Sequence, residues 1–381
     1  MRPLRILCGL ACLLLLASNI WSMLHWNEAR GVFDDVCYLR QAHLFQRFGL
    51  GGLGTDISRD DDGYLASKLK QIAFPTPNDP TTAPCHTPIP PTGKMVIQYP
   101  PGTGLLLALF PEGHQVVPLY VTASIVVFGF ALLGILSART ASSVASACAL
   151  GLLAIYLMIN PSKASYSMAP TMAVCAIAGF LTPRFVTASE RSHRLSLAIA
   201  LGLLLGASID FRLPNLFLAS GYFVFFLVTF LASRRLATVA EGLCFGIAWL
   251  IGMAPTLLAN AINAGSPFAT TYGGHDVTPP DFSFAVVWKY IADLQFVLLL
   301  LGCAATAYVL RMRREEGTRH VAVIVAANLL VNIAFFMSHP VFTPYYTIPI
   351  AMLSLWSLLF ATLPQAMEVV DDPLLEQAAK A

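Results

Sequence analysis

Long apolar blocks constrain this chain more than any other feature of its sequence. A helix needs about 20 apolar residues to cross a bilayer. Only 12% of the residues are charged, against roughly 25% in a soluble domain. We therefore expect an all-α polytopic membrane protein with about ten transmembrane helices (nine to eleven). The blocks lie at about 4–24, 115–137, 140–159, 168–182, 195–209, 213–231, 237–260, 286–310, 321–337 and 344–363.

The blocks predict one transmembrane domain over residues 1–365 and a short cytoplasmic tail at 366–381. The first block is long and lacks a small-residue cleavage site, so we expect it to be a retained helix. The blocks at 168–182 and 195–209 are shorter than a full span, which favours tilted, partly buried or re-entrant helices. The polar stretch 25–97 is expected to form an outer cap carrying amphipathic surface helices.

The basic residues predict the orientation, because short cytoplasmic loops are enriched in Lys and Arg. With the N-terminus inside, every cytoplasmic loop is basic, and both termini are cytoplasmic. The short outer loops then hold only Lys163, Arg212 and Lys289, while 13 of the 21 acidic residues lie outside. This pattern favours the plasma (inner) membrane. The net charge of +2 is too small to suggest a nucleic-acid partner.

Asp34 and Asp35 follow the first apolar block, and Leu39, Ala42 and Phe45 recur behind them at helical spacing. The pattern predicts an amphipathic helix on the membrane surface with two acids at its start. The acids can cap that helix, or one of them can act as a general base. The sequence leaves both roles open.

Arg212 lies between two apolar blocks with almost no loop around it, close to Asp210. A charge at membrane depth is costly and normally has a partner or a ligand. Arg suits a phosphate, because its planar fork donates several hydrogen bonds. The alternative is a local surface pair between Asp210 and Arg212.

Further polar and aromatic residues of the outer loops are candidates for a substrate pocket, with interface anchors and ordinary loop residues as the alternatives. Lys163 is a second candidate for a phosphate, and His275 titrates near neutral pH. The pocket candidates are Tyr99, Tyr166, His275, His339 and Tyr345.

Two of the eight cysteines, Cys37 and Cys85, fall in the long outer loop. They can pair if that side is oxidising, or they can remain free thiols. The chain has no CxxC or HExxH spacing, so we predict no metal site and no cofactor, and a divalent cation has no support in the sequence.

Taken in order, five segments resemble motifs of the GT-C superfamily of membrane glycosyltransferases, in particular the protein mannosyltransferases and lipid A aminoarabinose transferases. The resemblance covers roughly residues 1–365 but includes no large C-terminal outer domain. The segments are Asp34-Asp35, Tyr99-Pro100-Pro101, Arg212-Leu213-Pro214, Gly265-Ser266-Pro267-Phe268 with Tyr272, and Tyr345-Tyr346-x-x-Pro349.

The resemblance implies a GT-C-like fold and an inverting glycosyltransferase that uses a polyprenyl-phosphate sugar at the outer face of the membrane. Asp34 or Asp35 would be the base, and Arg212 and Lys163 would bind the donor phosphate. The acceptor would be a lipid, glycan or protein of the cell envelope. The chain departs from the motifs of the superfamily in two places, which concern metal dependence and the contacts with the donor. Residues 160–166 carry no acid, and His339 and Tyr345 stand where an Arg is common.

Two other classes of protein fit parts of the pattern. A transporter or flippase for lipid-linked sugars or small solutes would also be polytopic, but transporters often carry repeats and broken helices at mid-depth. A non-catalytic assembly protein would bind a lipid phosphate without transferring a sugar. The grouping of polar residues at one face favours interfacial chemistry over both.

Overall fold

The computed structural model describes residues 1–26, 28, 33–159, 165–273, 278–312 and 315–363, without the side chains of residues 33 and 34. This part of the chain is predominantly helical, with one small sheet. The helices are α1 (Arg2–Met23), α2 (Phe33–Phe48), α3 (Tyr64–Gln71), α4 (Gly102–Leu107), α5 (Val116–Ser137), α6 (Ala141–Leu157), α7 (Met168–Thr187), α8 (Arg191–Ile209), α9 (Ser220–Ser233), α10 (Leu236–Gly252), α11 (Ala254–Ala264), α12 (Phe284–Ile291), α13 (Leu294–Met312), α14 (Glu316–Ser338) and α15 (Ile348–Thr362).

Seven helical segments within the described residues are long and apolar enough to cross a membrane, or eight if the bent pair α10–α11 counts as one. Each of the ten apolar blocks contains at least one helix. The two blocks expected to be short are full-length helices instead, since α7 has 20 residues and α8 has 19. Both helices extend into polar flanking residues, which do not belong to the apolar blocks of the sequence. By contrast, α6 and α15 are shorter, with 17 and 15 residues.

Two blocks are interrupted. The block at 237–260 bends by 49° between α10 and α11, where Pro255 stands in the first turn of α11. Proline has no N–H to donate into the preceding turn. The block at 286–310 is divided into the short α12 and the long α13.

The core of the helical bundle surrounds α15. Every residue of α15 from Ile348 to Ala361 is buried, because α7, α13 and α14 pack around it. A helix that is apolar on all sides is typically enclosed in this way. Helices α1, α5 and α6 form a neighbouring group, and α8 packs closely along α10.

The polar stretch after α1 folds into a cap over one end of the bundle. It contains α2, α3 and an antiparallel hairpin of β1 (His86–Ile89) and β2 (Lys94–Ile97), with His86 opposite Ile97. Instead of lying on the surface, α2 is buried from Asp35 to Ala42 and packs against α4. Its polar residues are accommodated by specific partners, such as the backbone oxygens that accept from Arg40.

Candidate functional site

A polar cavity of about 340 Å³ lies where the cap meets the bundle. Several segments meet there: the first half of α2, the ends of the hairpin, the loops that precede α7 and α15, and the segments that follow α8 and α11. The cavity is lined by Tyr38, Pro84, Cys85, Gln98, Tyr99, Ser165, Ser167, Arg212, Pro214, Tyr272, Val341, Thr343, Tyr345 and Tyr346. Three predicted site residues, Tyr99, Arg212 and Tyr345, are therefore brought together in its wall.

Arg212 is the charged side chain in the described wall of this cavity, and it is only 6% exposed. Its guanidinium carbon lies 4.8 Å from the ring centre of Tyr345 and 5.4 Å from that of Tyr346. It also donates from Nη1 to the sulfur of Met168 at 2.6 Å. Cation–π contacts of this kind orient a guanidinium without neutralising its charge.

Asp210 is not the partner of Arg212, so the local pair considered from the sequence is wrong. Its carboxylate turns to the start of α11, where it accepts from the backbone N–H of Thr256 at 3.0 Å and from its hydroxyl at 2.6 Å. Burial raises the pKa of Asp210 to about 7, although these two hydrogen bonds lower it. No carboxylate in the described residues forms an ion pair with Arg212.

Asp35 lies behind the cavity wall and is 1% exposed. Its Oδ1 accepts from the backbone N–H of Tyr166 at 2.9 Å. Ser165 and Ser167 flank that residue and line the cavity. Asp35 therefore ties α2 to the loop before α7, and in this arrangement its Oδ1 binds a distant segment rather than the N-terminus of its own helix.

Tyr166 was expected in the pocket, but it does not line the cavity in the described structure. Its ring is completely buried, meets Tyr120 edge to face at 6.2 Å between ring centres, and donates its hydroxyl to the backbone oxygen of Glu28. The residue thus anchors the loop that carries Ser165 and Ser167.

Tyrosine rings form much of the remaining wall. Tyr38 stacks on Tyr99 with ring centres 5.1 Å apart, and Tyr99 meets Tyr272 at 6.1 Å. Tyr38 follows Asp35 by three residues on α2, so both point toward the same side of that helix. This spacing was a signal for Tyr38 that the sequence interpretation overlooked. Tyr272 and Tyr346 lie inside the recognised motifs, and Gln98 directly precedes one of them, but none of the three was singled out as a site residue.

A second cavity of about 440 Å³ adjoins the first and is mainly apolar. The two share Pro214, Tyr272, Val341 and Tyr346. His339 lines this second cavity rather than the polar one, and its ring stacks on Phe335 at 5.4 Å. Together the two cavities suit an amphiphilic ligand with a polar head and an apolar chain.

Two predicted residues, Lys163 and His275, lie outside the described residues, as does the side chain of Asp34. The backbone of Asp34 belongs to the first turn of α2. Their predicted roles stay predictions.

Cys37 and Cys85 form a disulfide, with their Cα atoms 6.6 Å apart. Beside it, the Nδ1 of His86 donates to the backbone oxygen of Pro84 at 2.8 Å, and its Nε2 accepts from Arg40 at 2.9 Å. The ligand atoms of Cys37, Cys85 and His86 lie within 4.8 Å of one another. Disulfide sulfurs are poor metal ligands, because a metal binds the thiolate, and both nitrogens of His86 already have partners.

A larger cavity of about 600 Å³ lies beside the N-terminal half of α6, between α6, α13 and α15. Of the predicted site residues that the structure describes, none lines it. Comparison of this chain with protein-family models, curated proteins and solved structures found no match.

Proposed function

We propose that this chain is an integral membrane glycosyltransferase of GT-C type, which transfers a sugar from a polyprenyl phosphate at the outer face of the plasma membrane. Ten membrane-crossing elements with both termini in the cytoplasm would place the cap and the polar cavity outside. The helix surfaces support a lipid environment: Leu14, Leu227 and Leu330 are 70%, 57% and 70% exposed. In water, an apolar surface of this extent would favour aggregation.

The observation that carries the proposal is the buried Arg212 guanidinium at the junction of a polar and an apolar cavity. Among the described residues Arg212 has no carboxylate partner, and a buried cation is unfavourable unless an anion completes it. A lipid phosphate supplies that anion at Arg212 and a hydrocarbon chain for the adjoining apolar cavity. The tyrosine-lined polar cavity of about 340 Å³ has room for a sugar attached to the phosphate.

In the proposed reaction, an acceptor hydroxyl attacks the anomeric carbon of the donor sugar while a carboxylate takes its proton. The lipid phosphate leaves, and Arg212 stabilises the negative charge that develops on it. A single displacement inverts the anomeric configuration. Because Asp35 holds the backbone of Tyr166, we favour Asp34 as the base and a positioning role for Asp35.

The test separates binding from transfer. Purified protein in vesicles would be given radiolabelled polyprenyl-phosphate monosaccharides and cell membranes as the source of acceptors. We expect Asp34→Asn to abolish transfer but to bind undecaprenyl phosphate as the unmodified chain does, because the base acts only in the chemical step. Asp35→Asn should reduce transfer less, since an amide oxygen can still accept from Tyr166.

Two results would contradict the proposal. Full transfer activity in both Asn variants would exclude the assigned base, and failure of the unmodified protein to bind undecaprenyl phosphate would exclude the donor class. Movement of the intact lipid-linked sugar across the vesicle membrane, without loss of the sugar, would favour the transporter.

A further inference from the structure

The disulfide joins the two sides of the polar cavity. Cys37 lies on α2 between Asp35 and Tyr38, and it is completely buried. Cys85 lines the cavity, immediately before β1. The part of the cavity wall that comes from α2 and the part that comes from the hairpin region are therefore linked covalently.

The hairpin side carries several of the polar lining residues. The backbone oxygen of Cys85 accepts from the N–H of Gln98 at 2.9 Å, so Cys85 is hydrogen-bonded to the residue that directly follows β2. Gln98 and Tyr99 follow β2 directly and line the cavity. Cys85 itself has a left-handed backbone with φ of 52°, a conformation that is uncommon for a residue other than glycine and that is held here by its surroundings.

Besides the disulfide, the contacts between α2 and the hairpin region are noncovalent. Among them are the hydrogen bond from Arg40 to His86 at 2.9 Å, the bond from Gln41 to the backbone oxygen of Tyr99 at 3.4 Å, and the Tyr38–Tyr99 stack. A hydrogen bond of 3.4 Å is weak. Loss of the disulfide should therefore widen the cavity while the helical bundle stays folded.

We propose that Cys37 and Cys85 are positioning residues of the ligand cavity, whose disulfide holds Gln98 and Tyr99 at the distance from α2 that lipid-phosphate binding requires. This inference rests on the proposed function for the identity of the ligand. It implies that the binding site is complete only in the oxidised protein. The two sulfurs do not touch the ligand's reacting atoms in this scheme, because they act through the wall residues.

The experiment compares the oxidised protein with protein treated with a phosphine reductant. The phosphine is oxidised to a phosphine oxide while the S–S bond is reduced to two thiols, and one water molecule supplies the oxygen of the phosphine oxide and the two protons of the thiols. We expect the dissociation constant for undecaprenyl phosphate to rise about tenfold at unchanged stoichiometry, because a loosened site still binds. Simple unfolding would instead lower the number of lipids bound per protein and leave the dissociation constant of the remaining sites unchanged. That result would overturn the proposal.

Cysteine variants provide a second test of the disulfide. The double variant Cys37→Ser/Cys85→Ser should bind as the reduced protein does and should not respond to phosphine, whereas Cys244→Ser, which alters a free cysteine of α10, should behave as the unmodified chain. If the double variant does not fold, reduction of the folded protein still provides the comparison.

Amide exchange of residues 85–99 tests the wall without any ligand. It should increase on reduction, while exchange in α7 and α15 stays slow. Equal exchange in the oxidised and reduced proteins, or equal affinity, would overturn the proposal. If reduction speeds this exchange but neither form binds undecaprenyl phosphate, the proposed function fails while the effect of the disulfide on the wall is upheld.

Discussion

At the scale of single residues, the chemistry of this molecule depends on how a few buried polar groups are paired. Asp210 and Arg212 are two positions apart, yet one caps α11 and the other faces a cavity between two tyrosines. Arg40 shows the opposite outcome, because its Nε lies 3.6 Å from a carboxylate oxygen of Asp60 and His86 accepts a hydrogen bond from it. Arg212, which has no carboxylate partner among the described residues, is the group that indicates a ligand.

Replacing Arg212 should weaken lipid-phosphate binding. We expect Arg212→Lys to reduce the affinity for undecaprenyl phosphate about 10- to 100-fold, because an ammonium keeps the charge but loses the planar fork and the ring contacts. Arg184→Gln is the matched control, since Arg184 lies over the ring of Phe180 in α7 and away from the cavity lining. Binding curves from tryptophan fluorescence would measure both, and equal losses in the two variants would contradict the assignment.

The stability of the cap should depend on pH through His86. Burial, together with the neighbouring Arg40 guanidinium, lowers the pKa of His86 to about 4, below roughly 6.5 in an unfolded chain. The unfolded state therefore binds the proton first, so the stabilisation is complete above about pH 6.5 and is lost as the pH falls toward 4.

We expect the melting temperature in detergent to fall between pH 7.5 and pH 5, and to fall less in His86→Gln, whose amide can still accept from Arg40. Thermal unfolding of both proteins at the two pH values measures the difference. An identical fall in both would show that other groups are responsible.

At the scale of elements, the cap is assembled by close approach of short segments. Gly102 donates its N–H to the backbone oxygen of Asp210 at 2.7 Å, and Gly104 packs against the side chain of Gln41. Helix α4 therefore starts where α2 and the end of α8 converge, within the segment Pro100-Pro101-Gly102-Thr103-Gly104. Pro101 stands at the N-cap of α4, and the glycines permit the contact.

A side chain at Gly104 should disturb this junction. A Cβ there would lie 2.6 Å from Cγ of Gln41, so Gly104→Ala should destabilise the protein by about 1–3 kcal/mol and weaken lipid binding. Gly129→Ala is the control, because nothing lies within 4 Å of that Cβ in α5. It should be neutral or stabilising, by up to about 1 kcal/mol. Equal melting temperatures for the two variants would refute the role of Gly104.

At the scale of the whole molecule, the fold separates a cap from a bundle of apolar helices, and the two cavities of the candidate site lie where they meet. Leu side chains of α1, α9 and α14 are exposed on the helix surfaces, whereas the cap carries most of the ion pairs of the described residues. This division predicts that the cap and the loop between α7 and α8 lie on opposite sides of a membrane.

Labelling of single added cysteines would test that orientation. Asn78 in the cap and Ser192 at the start of α8 are both exposed on the protein surface, so only the side of the membrane should decide whether a cysteine there is labelled. In intact cells, a membrane-impermeant maleimide should label Asn78→Cys but not Ser192→Cys. Lysis of the cells should make Ser192→Cys reactive, and the unmodified chain gives the background. Labelling of Ser192→Cys alone in intact cells would invert the topology.

The sequence by itself determined the helical class, the approximate positions of the helices and the segments that carry polar chemistry, because these follow from local apolar length and from Lys and Arg counts. It also brought Tyr99, Arg212 and Tyr345 into consideration for a single site. Only the tertiary structure decided the partners of Asp210, which is Thr256, and of Asp35, which is Tyr166, and it decided that Cys37 and Cys85, a possible pair from the sequence, are joined. Each of these pairs joins positions at least 46 residues apart. Local sequence patterns do not determine which distant segments meet, and the partners that the folded chain provides decide which buried charge is left for a ligand.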